Sequence, residues 1–138
     1  MAAPSHIPRS SFQILVVEDN AINRKVISII LRGAGFEVDV VSDGIEAVAA
    51  YQSTPYDLIL MDLQMPRMDG WEAARQIRHL QQAQPVIVAV SADALPGVHQ
   101  KCLQAGMDDY LSKPFTRNQL LAIVKSARER RPTADRGP

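Results

Sequence analysis

The chain has 138 residues, enough for one domain with a core of its own. Fifteen Lys and Arg balance fifteen Asp and Glu, and this zero formal charge argues against nucleic acid or an anionic membrane as the main partner. The single cysteine, Cys102, rules out an internal disulfide and fits a cytosolic setting.

Residues 1–11, MAAPSHIPRSS, lack the apolar run of a signal peptide or a membrane span and read as a disordered leader. Phe12–Val17 (FQILVV) reads as a strand, closed by Glu18, Asp19 and Asn20. Asn20 caps a predicted helix with Ile22, Val26, Ile29 and Ile30 as its apolar face and Gly33 as its stop. Phe36–Val41 alternates and reads as a second strand; Ser42 or Asp43 caps the helix after it, GIEAVAAY. Asp57–Met61 is a short apolar strand leading straight into Asp62. Asp69 caps the helix GWEAARQIRHL. Pro85–Ser91 is nearly all apolar; Asp93 caps a helix over residues 94–105, with Gly106 as its stop. Asp108–Lys113 is a shorter, weaker strand, with Asp108 and Asp109 at its start facing solvent. Thr116 caps the last helix, Arg117–Arg130, whose buried side is Leu120, Ile123, Val124 and Ala127. Residues 131–138 read as a flexible tail, which puts the domain at residues 12–130.

Five strand–helix units in alternation imply an α/β fold, a parallel sheet covered by helices on both faces. In such sheets ligands bind outside the carboxyl ends of the strands. Strand one ends in Glu18 and Asp19, strand three in Asp62, strand four in Ser91, and strand five runs into Lys113 and Pro114. Strand two ends in Ser42 and Asp43, off to the side. Clustered carboxylates repel, and a divalent cation resolves the repulsion. Oxygen donors without His or Cys suit Mg²⁺ rather than zinc. With the cation, a carboxylate can act as a nucleophile toward phosphorus, while a lysine and a hydroxyl steady the phosphoryl oxygens. Asp62, at the centre of the rim, is the candidate nucleophile.

The stretches ILVVEDNAINRKVI, GFEVDVVSDGIEAV, YDLILMDLQMPRMDGWEAARQIR, PVIVAVSAD and AGMDDYLSKPF, in this order, resemble the receiver domain of two-component response regulators. The resemblance covers roughly residues 12 to 130 and implies a flavodoxin-like (βα)5 sandwich with strand order 2-1-3-4-5. It implies that Asp62 is the phosphoacceptor. Asp19 would ligate Mg²⁺ (or Mn²⁺) directly, Glu18 through a water, and Gln64 through its backbone carbonyl. Ser91 matches the switch hydroxyl, Lys113 the lysine of the pattern and Tyr110 the aromatic switch position. Lys113-Pro114 matches a cis peptide bond, and Gln64 and Asp93 fall where phosphoryl lifetime is tuned. The implied partners are a histidine kinase, as phosphohistidine donor, and a histidine phosphotransfer protein.

VEDN and MDLQMPRMDG look most like receivers of hybrid sensor histidine kinases, cytoplasmic parts of membrane-bound sensors. The alternatives are a stand-alone regulator and a pseudo-receiver that only binds proteins. No DNA-binding output is expected, and the state is monomer or weak dimer. A phosphatase with an aspartyl intermediate is the enzymatic rival. Such hydrolases carry a second acid two residues after the nucleophile, where this chain has Gln64. A dinucleotide site needs a Gly-rich first turn, which VVEDNAIN lacks. Taken singly, the remaining candidates have plain readings. Asp69 is a helix cap, and His79 and His99 lie exposed on helices. Trp71 and Met65 pack, and Cys102 is a small apolar contact.

Overall fold

The computed structural model describes residues 12–80, 84–92 and 96–130. The strands are β1 (Gln13–Val17), β2 (Glu37–Val41), β3 (Leu58–Asp62), β4 (Val86–Ser91) and β5 (Asp109–Ser112). The helices are α1 (Ala21–Gly33), α2 (Gly44–Ser53), α3 (Gly70–His79), α4 (Val98–Gln104) and α5 (Arg117–Arg130). The strands pair in parallel in the order β2-β1-β3-β4-β5.

Successive strand residues point to opposite faces, so each strand feeds two cores. Leu15, Val17, Ile59, Met61, Ile87 and Ala89 pack with Tyr51, Ala74, Ile77 and Cys102 of α2, α3 and α4. Ile14, Val16, Leu58, Leu60, Val86 and Val88 pack with Ile27, Leu31, Leu120 and Val124 of α1 and α5. All five residues of β3 are buried, including Asp62. Among the described residues no helix is long and apolar enough to cross a membrane.

Side chains cap most of the helices. Asn20, Asp43 and Asp69 accept from the backbone N–H groups of Asn23, Glu46 and Glu72, each at 2.9 Å. Thr116 and Gln119 form a reciprocal capping box: Gln119 N–H donates to Thr116 Oγ1 at 3.0 Å, and Thr116 N–H to Gln119 Oε1 at 2.9 Å. α1 ends at Gly33, as expected, and the positive-φ residue that follows it is Gly35.

Three expectations need correction. Of the stripe Ile22, Val26, Ile29 and Ile30, only Ile30 packs against the core. Ile27 and Leu31 are buried, whereas Ile22, Val26 and Ile29 are 73%, 48% and 59% exposed. Two apolar stripes of helical spacing run along this helix, and tethers choose between them. Arg24 Nη1 donates to Glu18 O at 2.8 Å and Arg32 Nη2 to Val38 O at 2.7 Å, which rotates Ile27 and Leu31 onto the sheet. Second, α4 starts at Val98, because Gly97 at φ 90 lies outside helical geometry; Asp93 lies outside the described residues. Third, Asp108 is only partly exposed, and its carboxylate is engaged by the fold. The β4–β5 ladder begins at Val88, so the Ile87 N–H has no strand partner and donates instead to Asp108 Oδ2 at 2.9 Å.

Candidate functional site

The carboxyl ends of β1, β3, β4 and β5 form the rim of a cleft of about 500 Å³. Glu18, Asp19, Asn20, Asn23, Asp62, Gln64, Ser91, Ala92 and Lys113 line it, so Glu18, Asp19, Asp62, Gln64, Ser91 and Lys113 of the sequence reading meet in one place. Parallel strands in register bring this about: Val17 pairs with Met61, and Asp62 with Val90, so the polar residues that follow come level.

Carboxylate oxygens of Glu18, Asp19 and Asp62 lie within 4.8 Å of one another. Glu18 and Asp62 are buried and Asp19 is exposed. Lys113 Nζ is 2.9 Å from Glu18 Oε1 and 3.8 Å from Asp62 Oδ2. Glu18 Oε2 also accepts from Asn20 N–H at 3.2 Å. The ammonium thus reaches two of the three carboxylates, and its closer partner is Glu18. Burial, and then the charge of Glu18, push the Asp62 carboxyl up to about 7. This set of hard oxygen donors with excess negative charge fits a divalent cation such as Mg²⁺. Glu18, Asp19 and Asp62 are the residues that could hold it.

Ser91 is buried at the end of β4, and its carbonyl accepts from Lys113 N–H at 2.9 Å. The half-buried Tyr110 reaches the same carbonyl with its hydroxyl at 3.4 Å, and its ring centroid lies 4.4 Å from that of the exposed His99. The Lys113-Pro114 peptide is cis. Behind β3, Gly70 packs so closely that a Cβ there would come 2.2 Å from the Asp62 carbonyl oxygen. His79 is exposed, and Trp71, Met65 and Cys102 belong to the core beneath α3 and α4.

Asn23 and Ala92 on the rim, and Arg24 behind Glu18, were not among the residues expected at this site. Asn23 stands three residues after the Asn20 cap, a spacing that puts it on the rim. Asn23, Ala92 and Lys113 also border a second, largely apolar cleft of about 410 Å³, continued by Val26, Ile27, Pro114 and Phe115.

Residues 14–125 match the family of the response regulator receiver domain, and the chain belongs to that family. Hybrid signal transduction histidine kinase B of Dictyostelium discoideum is 42% identical over 126 residues, covering 82% of this chain; the chain spans only 6% of that kinase. The receiver domain of sensor histidine kinase PA1611 from Pseudomonas aeruginosa, solved with magnesium in its active-site cleft, is 45% identical with a TM-score of 0.78, covering 84% of this chain and 96% of that one. The receiver of the Saccharomyces cerevisiae response regulator Ssk1, solved with the phosphotransfer protein Ypd1, is 34% identical with a TM-score of 0.75, covering 87% and 88%.

Proposed function

We propose that this receiver domain takes a phosphoryl group from a phosphohistidine onto Asp62 and passes the signal on by phosphotransfer or by a change of shape. The observation that carries this reading is the buried Asp62, grouped with Glu18 and Asp19 and overlooked by Lys113. Mg²⁺, when bound by Asp19, Asp62 and the Gln64 carbonyl, supplies positive charge to the phosphoryl oxygens. Mn²⁺ suits the same donors.

The chain's own residues do the rest. An Asp62 carboxylate oxygen forms the new bond to phosphorus as the bond to the donor imidazole nitrogen breaks. Lys113, with Glu18 as its resting partner, turns toward the charge that arrives. Ser91 offers a hydroxyl hydrogen bond, and Tyr110, tied to the Ser91 carbonyl, follows its movement. Asn20 and Arg24 hold the Glu18 backbone and carboxylate in place.

The donor and acceptor partners are histidine-bearing signalling proteins, and the parent is a hybrid histidine kinase acting in the cytoplasm. Support for the parent comes from the similarity to the Dictyostelium kinase; support for a phosphotransfer partner comes from the Ssk1–Ypd1 complex. The exposed stripe Ile22, Val26 and Ile29 meets the apolar cleft at Val26 and offers such a partner an apolar surface.

Acetyl phosphate and Mg²⁺ followed by intact mass test the reading. One metal-dependent phosphoryl addition to the wild type, lost in Asp62→Asn, is expected. No addition from acetyl phosphate, together with none from a phosphorylated histidine phosphotransfer protein, counts against it.

A further inference from the structure

The loop between β3 and α3 contains the one non-glycine residue with positive φ among the described residues, Arg67 at φ 70. Met68 N–H donates to Pro66 O at 2.8 Å across it, which makes a γ-turn of the rare positive-φ kind. A residue with a side chain stays in such backbone only where its surroundings hold it there.

Two contacts hold it, both at the start of α2. Arg67 Nε donates to Asp43 Oδ2 at 2.9 Å, and Nη2 meets the same oxygen. The Asp43 side chain is only 7% exposed, and its other oxygen accepts Glu46 N–H as the cap of α2. Met68 supplies the second contact: a Cβ on Gly44 would come 2.6 Å from its carbonyl oxygen, so only glycine admits the loop this close. At the base of the loop, Gly70 N–H donates to Leu63 O at 2.9 Å. Gln64 lies between these fixed points, on the rim of the acidic cleft.

We infer that the Arg67–Asp43 ion pair is a positioning clamp for the metal loop: it holds the turn that keeps Gln64 on the rim, and thereby sets the affinity of the cleft for Mg²⁺. The inference rests on reading that cleft as the Mg²⁺ site. Neither residue is among those that line the cleft. The cap of α2, read from sequence as local, serves a second element through its free carboxylate oxygen. Arg67 gave no sequence signal because its partner is 24 positions away.

The test is a Mg²⁺ titration of the full chain, followed by the fluorescence of Trp71, at a temperature far below unfolding. Asp43→Asn keeps the cap, because Asn caps as well as Asp, but removes the charge. Arg67→Ala removes the other partner. Each is expected to weaken Mg²⁺ binding by about tenfold, the lower end of what support to a metal ligand is worth. The double variant is expected to be no weaker than either single one, because all three remove the same contact. Arg67→Lys restores part of the affinity. Wild-type affinity in both single variants overturns the clamp, as do additive losses in the double variant. A wild type that binds no Mg²⁺ overturns the reading of the cleft, and the clamp with it.

Discussion

Lys113 Nζ lies 2.9 Å from Glu18 Oε1, so the ammonium at the end of β5 is bonded to the buried acid at the end of β1. Asp62, the proposed phosphoacceptor, is the more distant neighbour at 3.8 Å. Removing one partner of a buried pair leaves the other charged and uncompensated, at about 3 kcal/mol. Lys113→Met is therefore expected to lower stability by about that amount at about pH 8 without metal, as read by urea unfolding. Glu18→Gln removes a negative neighbour of Asp62 and frees Lys113 for it. The Asp62 carboxyl should then titrate below its wild-type value, as followed by carboxyl NMR. An unmoved titration would show that Glu18 does not act on Asp62.

Asp62 itself sets a pH dependence. Its carboxyl is raised to about 7 by burial first and by Glu18 second, from an ordinary value of 3.8. Between those values the folded chain holds a proton that the unfolded chain has released. Its contribution to stability is full below about pH 4 and is lost as pH rises to about 7. The melting temperature of the metal-free wild type should thus fall over this window relative to Asp62→Asn. At about pH 7.5 the variant should melt about 5 °C higher, roughly 1 kcal/mol for a domain of this size. Mg²⁺ should stabilise the wild type more at about pH 7.5 than at 5.5, since binding displaces the proton. Parallel pH curves for wild type and variant would refute the shift.

The strand ends were legible to within one residue because β-branched and aliphatic runs stop abruptly at polar turns here. The caps at Asn20, Asp43, Asp69 and Thr116 were legible because a cap and its N–H partner lie three residues apart. The rim was legible because parallel strands deliver their carboxyl ends to one edge. What escaped depends on distant partners. The rotation of α1 is set by Arg24 and Arg32 reaching backbone carbonyls, and either apolar stripe satisfies a helical period. The choice of Glu18 over Asp62 by Lys113 spans 95 positions and is decided by fractions of an ångström within a shared cleft.

Gly70 separates helix propensity from packing. It opens α3, where Ala would gain about 1 kcal/mol by propensity alone. A Cβ there would come 2.2 Å from Asp62 O and 3.0 Å from Leu63 Cα, both backbone atoms that cannot turn aside. Overpacking should win, so Gly70→Ala is expected to lose about 3 kcal/mol and to weaken Mg²⁺ binding by shifting Asp62. Gly33→Ala is the control: nothing lies within 4 Å of a Cβ at the end of α1, and the change should be neutral or stabilising by up to about 1 kcal/mol. Equal melting temperatures for the two variants would mean that the contact at Asp62 relaxes.

Arg78 should do the reverse of the site residues and affect stability alone. Its guanidinium donates to Gly106 O, Pro85 O and Asp108 Oδ2 at 2.8 Å each, and to Gln84 Oε1 at 3.1 Å. These contacts tie α3 to the starts of β4 and β5, the end of the sheet opposite the acidic cleft. Asp108 depends on it, because the carboxylate that accepts Ile87 N–H is neutralised chiefly by this fork; Arg130 lies farther off at 3.7 Å. Arg78→Met is expected to cost about 3 kcal/mol by leaving two carbonyls and a carboxylate under-satisfied. Arg78→Lys should recover less than half, since a single ammonium cannot span the fork. Both variants should bind Mg²⁺ with wild-type affinity below their melting temperatures. A loss of Mg²⁺ affinity in Arg78→Lys would show that the two ends of the sheet are coupled, and that unfolding and site chemistry cannot be varied independently in this domain.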